Sequence, residues 1–166
     1  YVMIVLGLTM GMQPIVGYNF GAQKIDRVKQ TLKLGIVSGV VITSSGFFIC
    51  ELFPHAVSAI FTDSDHLIDL AVDGLRITVI MFPFVGAQIV IGNFFQSIGK
   101  AKISIFLSLT RQLLYLLPCL LLFPNWWGLK GIWISMPVSD ALAFITAVIS
   151  LIIYIKKVSK QHPIAE

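Results

Sequence analysis

Five long apolar runs divide the chain, at 1–18, 34–53, 75–95, 103–123 and 129–155, with short polar stretches between them. The runs are continuous and not alternating, which predicts helices and not half-buried strands. At about 1.5 Å of rise per residue, each run is long enough to cross roughly 30 Å of hydrocarbon. So few residues could not close a transmembrane barrel. The pattern predicts an all-α integral membrane protein with five transmembrane helices over residues 1–160 and a short tail at 161–166.

Composition sharpens that reading. Of 166 residues, 57% are hydrophobic and only 12% are Asp, Glu, Lys or Arg, about half the usual charged share of a soluble domain. Mean hydropathy is +0.90. These values exclude a cytosolic enzyme and a disordered tail. Cys50 and Cys119 both fall inside apolar runs and form no CxxC pair, so neither a disulfide framework nor a zinc site is indicated. The chain opens at Tyr1 directly in an apolar run, without the basic flank of a signal peptide. It is expected to begin partway through a longer protein.

Loop charge alternates in register with the five runs. Lys24, Arg27, Lys29 and Lys33 follow the first run, Lys100 and Lys102 follow the third, and Lys156, Lys157 and Lys160 lie in the tail region. The positive-inside rule makes these cytoplasmic, with the C-terminus inside. The net charge of +4 is thereby explained as loop charge, and no nucleic-acid surface is indicated. The second loop holds Asp63, Asp65, Asp69 and Asp73 with Arg76, and the fourth holds Trp126 and Trp127; both are expected outside. Trp126, Trp127 and Trp133 fit an aromatic belt at the outer interface. Thr62 and Asp65 are spaced as a capping box, placing the third helix start near Asp63 with the acids on its positive dipole end. His55, His66 and these acids show no metal-ligand spacing, so no metal site is expected.

Polar groups inside membrane helices are costly, and each needs a reason. Asp140 lies near the middle of the fifth run. It reads either as a proton-binding or substrate-facing carboxylate, or as a structural hydrogen-bond partner near a kink. Arg111, in the fourth run, can snorkel toward the inner interface or reach for Asp140. Counted from the run ends, the two differ in depth by roughly 10 Å, which does not favour a direct pair. Glu51 is expected to reach the outer interface. Gln13 and Asn19 in the first run, Gln88, Asn93 and Gln96 in the third, and Gln112 in the fourth must face other helices or a wet cavity.

Pro14, Pro83, Pro118 and Pro137 interrupt four of the five runs, and broken helices beside mid-membrane polar groups are a transporter trait. Gly7/Gly11, Gly17/Gly21 and Gly35/Gly39 are spaced for close helix packing. No catalytic or nucleotide-binding motif occurs, so enzymatic activity is not expected.

Several stretches then resemble one family in order along the chain. Gly11, Gln13, Pro14, Gly17, Asn19, Phe20, Gly21, Gln23 and Lys24, followed by Asp26, Arg27 and Lys29, resemble the MATE (multidrug and toxic compound extrusion) family at the end of its eighth helix. The segment 61–76, with Asp63, Leu67 and Leu75-Arg76-Ile77, is similar to the start of helix ten, and Phe95-Gln96-Ser97-Ile98-Gly99-Lys100-Ala101 to its end. Arg111-Gln112, Gly128-Leu129-Lys130-Gly131-Ile132-Trp133 and Pro137-Val138-Ser139-Asp140 resemble helices eleven and twelve. The resemblance implies twelve helices in two six-helix lobes in a bacterial inner membrane, of which this chain holds helices eight to twelve of the C-terminal lobe. It implies export of small organic cations by alternating access, coupled to entry of protons or sodium, with no further cofactor. The partners it implies are those cations, the lipid bilayer and the N-terminal lobe of the same protein.

In the NorM branch of that family a helix-ten acid contributes to a cation site, where this chain has Ala87 and Gln88. The pattern is closer to the DinF-like branch, whose coupling acid lies in the other lobe. Asp140, Gln88, Asn93, Gln13, Asn19 and Arg111 are the candidate pathway residues. A lipid-linked-sugar flippase or a narrow-specificity metabolite exporter of the same superfamily is the alternative. A flippase would call for a more cationic cavity, and Arg111 is the only basic residue well inside a run.

Overall fold

The computed structural model describes residues 1–161, and these form helices with no strand among them. The helices are α1 (Val2–Gly21), α2 (Ile25–Leu52), α3 (Pro54–Ala59), α4 (Asp65–Val79), α5 (Phe82–Ser97), α6 (Ala101–Leu109) and α7 (Leu117–Gln161), with a π-helical segment, Thr110–Leu116, joining α6 to α7. Apart from its first residue, the tail assigned to 161–166 lies outside the described residues, as does His162.

The helix boundaries differ from the apolar runs where polar residues also favour helix. α2 begins at Ile25, not near 34. No breaker follows Lys24, and Lys, Arg and Gln are good helix formers. Ile25, Val28 and Leu32 supply an apolar stripe whose Val28 and Leu32 are buried. The basic residues therefore ride on the first turns of α2, and the loop shrinks to a tight turn. In that turn the Lys24 N–H donates to the Asn19 carbonyl (2.9 Å) and Gln23 N–H to the Phe20 carbonyl (3.0 Å), a Schellman motif with Gln23 at φ 57°. The turn after α5 repeats it: Lys100 N–H donates to the Phe95 carbonyl (2.8 Å) and Gly99 N–H to Gln96 (3.1 Å), with Gly99 at φ 74°.

The third run breaks in two. α4 and α5 meet at a 50° bend, with Pro83 in the first turn of α5. Proline has no N–H and its ring crowds the carbonyl four residues earlier, so an unbent helix would lose packing there. α4 starts at Asp65 with Ser64 as N-cap, but no side-chain cap bond forms. The Thr62 hydroxyl instead accepts from the Ser64 N–H at 3.3 Å, so the expected capping box is absent.

The fourth and fifth runs join through a reversal at Gly128, whose φ 55° and ψ −134° are non-helical. A side chain at Gly131 would strike the Phe123 carbonyl, so the two arms lie back to back. An unbroken helix would separate Arg111 from Asp140 by about 44 Å at 1.5 Å per residue; their side chains touch at 2.8 Å. Trp126 and Trp127 stay exposed at this tip. Trp133 is half-buried. Its ring packs on Gly74 of α4, where an added Cβ would meet it within 2.7 Å.

α5 is the centre, contacting α1, α2, α6 and α7. Its buried residues run nearly around the helix, as in a helix with neighbours on most sides. Phe94 and Phe95 meet Tyr154 of α7 edge-on, at ring distances of 6.4 and 5.5 Å. Against α2 the backbones approach closely: a Cβ on Gly86 would run into Gly39, and one on Gly39 would lie 3.1 Å from the Gly86 carbonyl. The Thr43 hydroxyl is 2.9 Å from the Gly39 carbonyl and 3.4 Å from the Pro83 carbonyl. Gly35/Gly39 thus packs as expected. Gly7, Gly11 and Gly21 do not, having nothing within 4 Å of a Cβ position among the described residues. Gly17 approaches the Ser97 carbonyl.

Candidate functional site

Polar side chains gather between α5 and the α6–π segment. In α5, Gln88, Asn93 and Gln96 fall within two turns; across from them stand Ser108, Arg111 and Gln112. They line a cleft of about 260 Å³, with Leu6 of α1 at its side. The spacing 104, 108, 111 and 112 puts two serines on the helix face that carries Arg111. That polar stripe is present in the sequence as a helical spacing, but uncharged serines give it a weak signal.

Gln88 is 8% exposed, and its Oε1 has no hydrogen-bond partner among the described residues. Leaving such a group unpaired costs about 1–3 kcal/mol. Asn93 Nδ2 donates to the Ile89 carbonyl at 3.0 Å, leaving its own carbonyl unused by that bond. Gln96 and Gln112 are exposed at the cleft.

Behind the cleft lies an ion pair. Arg111 Nε and Nη2 both donate to Asp140 Oδ1, at 2.8 Å each. The direct pair disfavoured by depth counting does form. The hairpin contact at Phe123 and Gly131 sets the register, and counting back from it puts Arg111 roughly level with Ala143, about one turn from Asp140. The guanidinium spans that turn. Tyr115 leans the other way and shares a 2.8 Å hydrogen bond with Thr146. The Arg111 side chain is 34% exposed and that of Asp140 11%. The π-helical winding falls on Thr110–Leu116, just ahead of Pro118; such windings recur at functional sites.

The remaining candidates do not join this group. Asn19 is buried on α1 and donates to the Ile15 carbonyl at 2.8 Å; neither it nor Gln13 lines the cleft. Glu51 reaches Arg76 at 3.9 Å, with both side chains about half exposed, a weak surface pair. It ties the end of α2 to α4.

The MatE family profile matches residues 1–121. The chain belongs to the MatE family. Among curated relatives, the multidrug export protein MepA of Staphylococcus haemolyticus is 25% identical over 140 residues, 84% of this chain and 30% of that protein. MepA of Staphylococcus aureus is 25% identical over 154 residues, 92% of this chain and 33% of that protein. The chain thus spans about a third of the length of the curated relatives it matches. The MATE multidrug transporter DinF-BH, solved in complex with a ligand, superimposes with a TM-score of 0.83 and 38% identity over 89% of this chain and 33% of that one. An inward-facing MATE family transporter superimposes at 0.89 over 96% of this chain and 37% of its own, at 20% identity, which speaks to the fold. The all-helical MatE membrane fold is therefore the frame around the cleft.

Proposed function

We propose that this MatE chain is most of one lobe of an ion-coupled exporter of organic cations, working by alternating access. The observation that carries the reading is the cleft: amides, serines and Arg111, held from behind by Asp140, converge on one side of α5 inside an apolar bundle. Polar groups at this cost are kept in membrane helices for substrate or ion pathways. The 38% identity to DinF-BH supports the DinF-like branch.

Alternating access asks each lobe to move as a body. The fold fits inward- and outward-facing family structures about equally, with TM-scores of 0.89 and 0.87, which supports a lobe that keeps its shape. The coupling ion is a proton or sodium, the membrane is the bacterial inner membrane, and the C-terminus is cytoplasmic. The second lobe completes the cavity. A lipid-linked-sugar flippase is less well served, because Arg111, the one intramembrane cation in the cleft, is already neutralised by Asp140.

The test is ethidium accumulation in efflux-deficient cells making the full-length protein, with a protonophore or with sodium withdrawn. Lower accumulation that either treatment reverses is expected. Unchanged accumulation, with the protein present in the membrane, would favour the narrower exporter or the flippase.

A further inference from the structure

The order of groups at the cleft wall is specific. Arg111 lines the cleft, whereas Asp140 does not and is the more buried of the two. A ligand in the cleft therefore meets the guanidinium before the carboxylate. Arg carries five N–H donors, and two of them converge on Asp140 Oδ1. The other three point away from that oxygen, and the side chain is a third exposed.

We propose that the Arg111–Asp140 pair is a charge lock that sets which chemical groups the cleft accepts. With the lock closed, the carboxylate is hidden behind its own cation and the cleft is electrically neutral. It then receives hydrogen-bond acceptors, such as carbonyl or ether oxygens, on the free guanidinium donors. A bare ammonium or aromatic cation finds no exposed carboxylate on this wall. A cationic substrate would place its uncharged acceptor part here and its charge elsewhere. Arg111 is then a specificity-determining residue, acting by shielding Asp140 and by presenting donors.

The proposal rests on the reading that the cleft lies on the transport pathway, and its test is built to fail separately. Ethidium and fluorescein, a cationic and an anionic dye, are titrated against the purified full-length transporter by fluorescence. The set is wild type, Arg111→Gln, Asp140→Asn and the double variant, each checked for thermal unfolding. Arg111→Gln bares the carboxylate and should tighten ethidium about tenfold while weakening fluorescein. Asp140→Asn frees the cation and should do the reverse. The double variant, neutral and still able to hydrogen-bond, should return to the wild-type ratio. Both single variants weakening both dyes alike, without rescue in the double variant, would overturn the lock and leave the pair as structural. Absence of any dye binding in all four proteins would overturn it as well. Opposite shifts in the single variants together with no ethidium efflux from cells would sink the export reading and leave the lock standing.

Discussion

The two sides of α5 are built for opposite purposes. Toward α2 it presents Gly86 against Gly39 with Thr43 at the seam, so that backbones nearly touch. Toward the α6–π segment it presents Gln88, Asn93 and Gln96 and leaves a cleft. Lipid tails give no hydrophobic drive to helix association, so tight contact must come from small residues and polar groups. The glycine side supplies that contact and holds α5 fixed. The amide side can then keep the unpartnered Gln88 Oε1 in place without the bundle collapsing over it.

The contrast can be broken most severely on the tight side. Gly86→Ala drives a methyl into the Gly39 backbone, which cannot yield as a side chain would. It should destabilise the bundle by about 3 kcal/mol, the upper part of the usual overpacking range, seen as a lowered unfolding temperature in detergent; a change below about 0.5 kcal/mol would mean the α2–α5 contact is looser than described. Asp140→Asn comes next. Removing one member of a fully buried pair costs about 3–5 kcal/mol, and the exposure of Arg111 cuts this to about 1–2 kcal/mol. Efflux should fall more than stability does. Unchanged efflux would make the pair purely structural.

On the open side the sign reverses. Gln88→Met removes a buried carbonyl that has no partner among the described residues. It should raise stability by about 1 kcal/mol while lowering efflux, a split measured by pairing unfolding with dye export. Lower stability would show that Gln88 is held by a bond. The smallest effect belongs to the turns. Gln23→Gly relieves a left-handed residue that Gly99 occupies without strain in the equivalent turn. It should gain up to about 1 kcal/mol of stability, at constant efflux.

Much of this is legible in the sequence. The membrane helices follow from the apolar runs, and Gln88, Asn93 and Gln96 stand out as three amides within two turns of one run, although only the structure brings them to one cleft. The features that are not legible all depend on where helices meet. Depth counted from run ends disfavours the Arg111–Asp140 pair, whereas the Phe123–Gly131 contact sets the actual register. The seat of Trp133 on Gly74 is not visible because the two are remote in sequence. Gly7/Gly11 and Gly35/Gly39 have the same spacing, yet only the latter faces a described helix with a glycine of its own. Spacing reports which face a residue occupies, not what lies opposite.

The most direct measurement of the central claim, that the open side of α5 bears substrate, is thiol protection. Asn93→Cys and, as a control at an exposed position of α2, Val41→Cys are placed in the full-length protein with all its native cysteines, Cys50 and Cys119 among them, replaced. Both are treated with a water-soluble maleimide, with and without saturating rhodamine 6G, a cationic dye that carries ester and ether oxygens. The thiol at 93 should be labelled and the dye should block the reaction, while the thiol at 41, expected to be shielded from water by lipid, should stay unreactive. A thiol at 93 that does not react, or that reacts equally with and without the dye, would contradict a substrate-bearing open side.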